Sequence, residues 1–223
     1  MSCAQAGIVQ QSGQHVPLFQ EREIEAVAQT PVRQRCLGAR QDRVAHLDVG
    51  RGGRCDVHLH AVAREVLRGA QDAGHEVVVY EINDMYVRGC QGCRTCKENN
   101  VDCIVADDLQ PYWAELHSAG ALVVSAPNYA SQVCGPMITY MNRHYCLLDK
   151  DWNVRIHPGI KLVGVFSQGR PDPEAYLPVY NWYLGDFQNR DMELVDLIVH
   201  TRALSYAPGS PLMERAYQLG RSL

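Results

Sequence analysis

Read for the alternation of apolar and polar positions, the chain falls into two unequal parts. Residues 1–43 are rich in Gln and Arg and follow neither a strand nor a helix period. They are expected to be a poorly ordered or mis-called N-terminal extension ahead of a single domain spanning 44–223. A short strand is expected at 43–49, "RVAHLDV", with His46 and Asp48 interrupting it. From Gly50 the pattern becomes regular. A glycine-rich turn, "GRGGRC", leads into a helix whose apolar face is Leu59, Val62, Val66 and Ala70, and Gly74 ends it. "HEVVVYEI" reads as a strand, and a cysteine-rich loop follows over 84–106. A helix is expected from about Asp107, capped by its acids.

The runs "ALVVSAP" and "IKLVGVFSQG" are continuously apolar, as strands of a parallel sheet covered on both faces must be. Between them "MITYMNRHYCLLD" reads as a helix. After them come a helix in "PEAYLPVYNWYLGDF", a strand in "LVDLIVHTRAL" and a closing helix in "SPLMERAYQLGRSL". On the fourth of these helices Tyr176, Tyr180, Tyr183 and Phe187 share one face, as core or as a subunit contact. Strands alternating with helices at these spacings predict an α/β fold with helices on both faces of a parallel sheet.

Composition narrows the partners. A formal net charge of −4 over 223 residues, without a block of like charge, argues against nucleic acid. Residues 116–142 carry no Asp, Glu, Lys or Arg, and a membrane span needs about 20 apolar residues. Serines, amides and two prolines interrupt this stretch, so a buried strand, loop and helix are expected and no membrane. "MSCAQAGIVQQSGQHV" lacks the basic start and apolar core of a secretory signal. Nine cysteines without such a signal point to the reducing cytoplasm, where clustered thiols are more often metal ligands than disulfides.

Three loops leave the carboxyl ends of strands, where a doubly wound sheet binds ligands. The first is Gly50-Arg51-Gly52-Gly53-Arg54-Cys55, whose backbone N–H groups and helix start suit a phosphate monoester. Pro127-Asn128-Tyr129-Ala130-Ser131 and Ser167-Gln168-Gly169-Arg170 form the other two. With amides and one aromatic ring, they suit a flat heteroaromatic ring with carbonyl and N–H edges.

Cys90, Cys93, Cys96 and Cys103 have the spacing C-x2-C-x2-C-x6-C. Three-residue steps, with Gly89 and Gly92 permitting a tight backbone, let thiolates converge, and ferredoxin-type clusters begin with the same run. Zinc sites more often use two separated pairs. A cluster, zinc and no metal all remain open on spacing alone. Cys134 and Cys146 are expected in the core, as are Met137 and Met141. His58 and His60 are two apart on a helix and point to different faces.

"GGRCDVHLHAVAREVLRGAQDAGHEV", "CQGCRTC…DC" followed by "DD", "SAPNYASQV" and "FSQGRPDPEAY" together resemble the flavodoxin-like NADPH-dependent FMN reductase family. Within it they are most similar to the iron–sulfur flavoprotein branch. The resemblance runs from Gly50 to the C-terminus. It implies a five-stranded parallel sheet of order 2-1-3-4-5 with FMN at the switch point. The phosphate would be held by Arg51, Gly52, Gly53, Arg54 and Cys55, and the ring by Pro127–Ser131 and Ser167–Arg170. It implies a [4Fe–4S] cluster on Cys90, Cys93, Cys96 and Cys103. It further implies NAD(P)H as a donor, small-molecule or protein electron carriers as partners, and a homo-oligomer. "LDVGRGG" departs from the family's usual Gly-Ser-Pro-Arg first loop by lacking its hydroxyl.

The expected function is that of an FMN-dependent oxidoreductase or electron-transfer flavoprotein with a cluster. The alternatives are a cluster-free NAD(P)H-dependent FMN or quinone reductase, and a flavin-free interaction module with a metal-clipped loop.

Overall fold

Five parallel strands and one short antiparallel strand form the sheet of the computed structural model, which describes residues 40–48 and 54–223. The side chains of 40–42, 47–48 and 54–57 lie outside that description. The strands are β1 (Arg40–Asp48), β2 (Glu76–Glu81), β3 (Ala119–Tyr129), β4 (Gln132–Val133), β5 (Lys161–Gln168) and β6 (Glu193–Thr201). The helices are α1 (Arg54–Asp72), α2 (Thr95–Asn99), α3 (Gln110–Ser118), α4 (Gly135–Arg143), α5 (Leu177–Gln188) and α6 (Pro211–Arg221). The spatial order is β2-β1-β3-β5-β6, with β4 paired antiparallel to the end of β3. Leaving β4 aside, this is the expected 2-1-3-4-5 arrangement of a flavodoxin-like fold.

The two-residue period sorts the apolar runs onto two faces. Ala121 and Val123 of β3, with Val163 and Val165 of β5, meet one helical layer: Leu59, Val62, Val66 and Ala70 of α1, with Met213 and Ala216 of α6. Leu122, Val124, Ala126, Leu162 and Phe166 point to the opposite layer. There they meet Tyr112, Trp113 and Leu116 of α3, Met137 and Tyr140 of α4, and Tyr180, Leu184 and Phe187 of α5. Helices on both faces explain why the central positions of these strands are almost all apolar. Between α1 and α6 the backbones themselves touch: a methyl group built on Gly220 would stand 1.8 Å from the Val66 carbonyl oxygen, and one on Gly69 2.1 Å from that of Tyr217.

Several element boundaries differ from those the pattern predicts. β1 begins at Arg40, where Arg43 forms ion pairs with Glu76 and Glu115 that tie it to β2 and α3. The helix near Asp107 begins at Gln110, and its N-cap is Leu109 without a side-chain cap. Asp107 is engaged elsewhere, as described below. The helix after β4 stops at Arg143, and His144–Leu147 continue as a 3-10 turn. α5 starts at Leu177, which leaves Tyr176 at its N-cap, while Tyr180, Tyr183 and Phe187 are buried in the core. Among the described residues no helix is long and apolar enough to cross a membrane. The extension up to residue 39 lies outside the described residues.

Candidate functional site

β1, β3 and β5 are adjacent and parallel, so the segments leaving them emerge on one edge. β2 and β3 lie on opposite sides of β1, which makes the space beyond β1 and β3 the switch point of the sheet. Asp48 aligns with Ser125, and Pro127 with Ser167. Of the expected phosphate loop, Gly50 to Gly53 lie outside the described residues. Arg54 and Cys55 form the first turn of α1, and their side chains are likewise not described.

The other two loops leave adjacent strands, Pro127 opposite Ser167, and the first of them is also tied to α5. Ser131 Oγ donates to Tyr176 Oη at 3.4 Å, and Tyr183 Oη donates to Gln132 Oε1 at 3.1 Å. Ala130 and Ser131 join β3 to β4 with φ of 50° and 66°. Two left-handed residues in succession make a type I′ hairpin turn, usually built from Asn-Gly. Ala and Ser in that region cost about 1–2 kcal/mol each, and such strain recurs at ligand-binding edges. Ser167 Oγ is buried without a hydrogen-bond partner, and the Asn128 side chain interacts with the Tyr180 hydroxyl. Gln168 is placed differently from what its amide suggests. Its Oε1 accepts from Tyr180 Oη at 2.9 Å and its Nε2 donates to Asp172 O at 2.6 Å, so the side chain braces its own loop. Gly169 and Arg170 are exposed.

The cysteine loop leaves β2 through a 3-10 turn at Ile82–Asp84 and is fastened to the entrance of α3. Tyr86 N–H donates to Asp108 Oδ2 at 2.7 Å and Arg88 N–H to Asp107 Oδ2 at 3.0 Å. Gly92 and Arg94 take φ of 65° and 60°, folding the backbone between Cys90 and Cys96, and α2 begins directly after Arg94. All four predicted cysteines line one cavity, together with Cys146 and Arg143. Cys90 and Cys93 are exposed at its rim, whereas Cys96 and Cys103 are buried. Burial pushes the Cys96 and Cys103 thiols up; against this, the Val105 N–H and the Arg143 guanidinium favour the Cys103 thiolate. Among the described residues no group of three or more His, Cys, Asp or Glu side chains is arranged to hold a metal ion.

Three cations secure this loop. Lys97 is buried, donates to the carbonyls of Leu148 (2.9 Å) and Asp149 (3.2 Å), and lies 4.1 Å over Tyr145 and 4.4 Å over Trp152. Arg155 donates to the carbonyls of Asn100 (2.9 Å), Val101 (2.7 Å) and Cys146 (2.6 Å). Arg143 reaches Cys103 Sγ from Nε at 3.1 Å and pairs with Asp107. None of the three is marked by a sequence motif, and Arg143 lies just beyond the charge-free stretch 116–142. Cys134 and Cys146 are buried as expected, and Cys146 additionally borders the thiols. His58 and His60 diverge: His58 stacks on Tyr206 at 3.8 Å, and His60 meets Arg64.

Residues 58–170 match the sequence profile of a family described as NADPH-dependent FMN reductase. A curated relative, an iron–sulfur flavoprotein of Methanocaldococcus jannaschii, is 25% identical over 92 residues, or 41% of this chain and 46% of that protein. The matching region thus spans about half the length of that relative. Among solved structures, an azoreductase from Bacillus anthracis str. Sterne superposes with a TM-score of 0.63 at 11% identity, covering 81% of this chain and 99% of that one. An NAD(P)H:quinone oxidoreductase from Methanothermobacter marburgensis gives 0.56 at 16%, covering 81% and 94%. At these identities the structural likeness shows the fold alone.

Proposed function

Because the chain belongs to the NADPH-dependent FMN reductase family, we propose that it is a flavin-dependent oxidoreductase. FMN binds at the edge beyond β1 and β3, and a [4Fe–4S] cluster sits on the neighbouring thiol loop. The observation carrying the flavin reading is the alignment of the ends of β3 and β5, Pro127 opposite Ser167, with Ser167 Oγ buried and unpartnered at that edge. Such a group wants the carbonyl and N–H edge of a ring. Pro127–Ser131 and Ser167–Arg170 hold that ring, with Gln168 keeping its loop in shape. Arg51, Gly52, Gly53, Arg54 and Cys55 take the phosphate at the start of α1.

A bound flavin supplies the exchange between two-electron and one-electron carriers, and a bound cluster passes single electrons. The thiol set fits a cluster on three counts. All four cysteines line one cavity, the donors they offer are all sulfur, and a buried cation sits against one of them. The name of the iron–sulfur flavoprotein relative supports the same assignment. NAD(P)H as donor, a small-molecule or protein acceptor, and a homo-oligomer complete the proposal.

A second reading, a cluster-free NAD(P)H-dependent FMN or quinone reductase, draws on the absence of a metal-ready side-chain group among the described residues. The absorption spectrum of anaerobically purified protein separates the two. Flavin gives bands near ~370 and ~450 nm, and a cluster adds a shoulder around 400 nm that dithionite bleaches. Lack of the flavin bands, together with failure to take up added FMN, would remove the proposal.

A further inference from the structure

Arg143 ends α4 and is 1% exposed, so water solvates almost none of its charge. Instead every one of its five N–H groups is used within the loop. Nε donates to Cys103 Sγ at 3.1 Å. Nη1 donates to the Arg88 carbonyl at 2.8 Å and to Asp107 Oδ2. Nη2 donates to the Val105 carbonyl at 3.3 Å and to Asp107 Oδ1 at 3.4 Å. Asp107, whose side chain is also fully buried, accepts from the N–H groups of Arg88 at 3.0 Å and Leu109 at 3.1 Å as well. The Arg88 residue, two before Cys90, is therefore gripped on both sides, its N–H by the carboxylate and its carbonyl by the guanidinium. Cys103, the last cysteine of the motif, is touched by the same guanidinium.

A buried ion pair adds little net stability compared with an apolar pair, because both charges are stripped of water. This pair is spent on connecting the two ends of the cysteine motif. It is also oriented: the carboxylate closes the Nη end, and Nε faces the sulfur. Burial leaves such a charge weakly screened.

We propose that the Arg143–Asp107 pair is the positioning device of the thiol site, fixing the Cys90 and Cys103 ends in register and setting the reduction potential of a bound iron–sulfur cluster through the cation on Cys103. This deepens the cluster reading above and rests on it. A cation beside a ligating sulfur favours the more negative, reduced state, and hydrogen bonds to ligand sulfurs are an established lever on potential. Loss of partners of this kind typically costs 10–100-fold in metal affinity.

The test is a potentiometric titration, followed by electron paramagnetic resonance, of protein reconstituted anaerobically with iron and sulfide. Iron release to a chelator is measured in parallel. Arg143→Gln should shift the reduction equilibrium about tenfold toward the oxidised state, about 59 mV for one electron, and speed iron release about tenfold. Arg143→Lys should return the potential toward wild type. Asp107→Asn leaves the cation without its counter-charge and should shift the equilibrium the opposite way. If Arg143→Gln does not fold, the sign given by Asp107→Asn decides, because a purely structural pair predicts no such opposite shift. Equilibria of the folded variants within twofold of wild type, or an Asp107→Asn shift toward the oxidised state, overturn the inference. Wild-type protein that takes up no iron overturns the cluster reading itself.

Discussion

Replacing Gly220 by alanine tests whether α1 and α6 are held by backbone contact. The added methyl would lie 1.8 Å from the Val66 carbonyl oxygen and 3.0 Å from the Ala70 nitrogen. A comfortable carbon–oxygen contact is about 3.3–3.6 Å, so the helices must part by roughly 1.5 Å. Both clashing groups are main chain, and no rotamer change relieves them. Parting the helices loosens the contact between Val66 and Ala70 on one side and Ala216 on the other. Overpacking of this kind costs about 1–3 kcal/mol, and the better helix propensity of alanine offsets at most about 1. A net loss of about 2 kcal/mol is expected.

Gly185 in α5 is the control, since nothing lies within 4 Å of a methyl built there. Gly185→Ala should stabilise by about 0.4–1 kcal/mol. Urea denaturation followed by far-ultraviolet circular dichroism measures both, compared at a common m-value. Stability changes of the same sign in the two variants would refute the steric account.

Substituting Gly53 with a bulky residue should weaken FMN far more than riboflavin, because only FMN carries the phosphate; equal losses in fluorescence titrations would remove the phosphate assignment. Cys93→Ala should abolish iron uptake on reconstitution while leaving FMN stoichiometry nearly unchanged, and iron retained at wild-type levels would count against Cys93 as a ligand. His144 is buried, and desolvation first, with the Arg190 charge second, holds its pKa well below the ordinary 6.5. Its unfolded form binds the extra proton, so its contribution to stability is present above pH 6.5 and lost as pH falls below it. His144→Phe should flatten that acid slope in denaturation curves taken between about pH 7 and 5, and an unchanged slope would contradict the assignment.

The parts of the fold that sequence makes legible are those governed by burial over many residues. Leu59, Val62, Val66 and Ala70 announce α1 by spacing alone, and each is fully buried. The uninterrupted apolar runs of β3 and β5 announce a sheet covered on both faces. Features decided by a single long-range partner are not legible. Arg143 looks like the polar end of a helix until Asp107, 36 residues away, is brought against it. That pairing also explains why Asp107 does not act as a helix cap. The hairpin at Ala130–Ser131 was invisible because neither residue carries a turn signature; its conformation is imposed by the pairing of Tyr129 with Gln132. Tyr176 fits the helical stripe by spacing, yet the chain enters α5 only after it. The cysteine loop was legible as a cluster of thiols, and its placement beside Cys146 came from packing.

The same hairpin constrains the length of the chain that runs through it. Asn128 pairs with Val133 and Tyr129 with Gln132, so the crossing has no slack. An inserted or deleted residue would flip the following side chains to the other face of the pairing, exposing the buried Val133 and displacing the start of α4. A change of length at this edge is therefore costly, whereas side chains at Tyr129, Ala130 and Ser131, which are exposed, can be exchanged without it. A Gly at position 130 or 131 would be the most accessible such exchange, since it relieves the left-handed backbone without rerouting the chain.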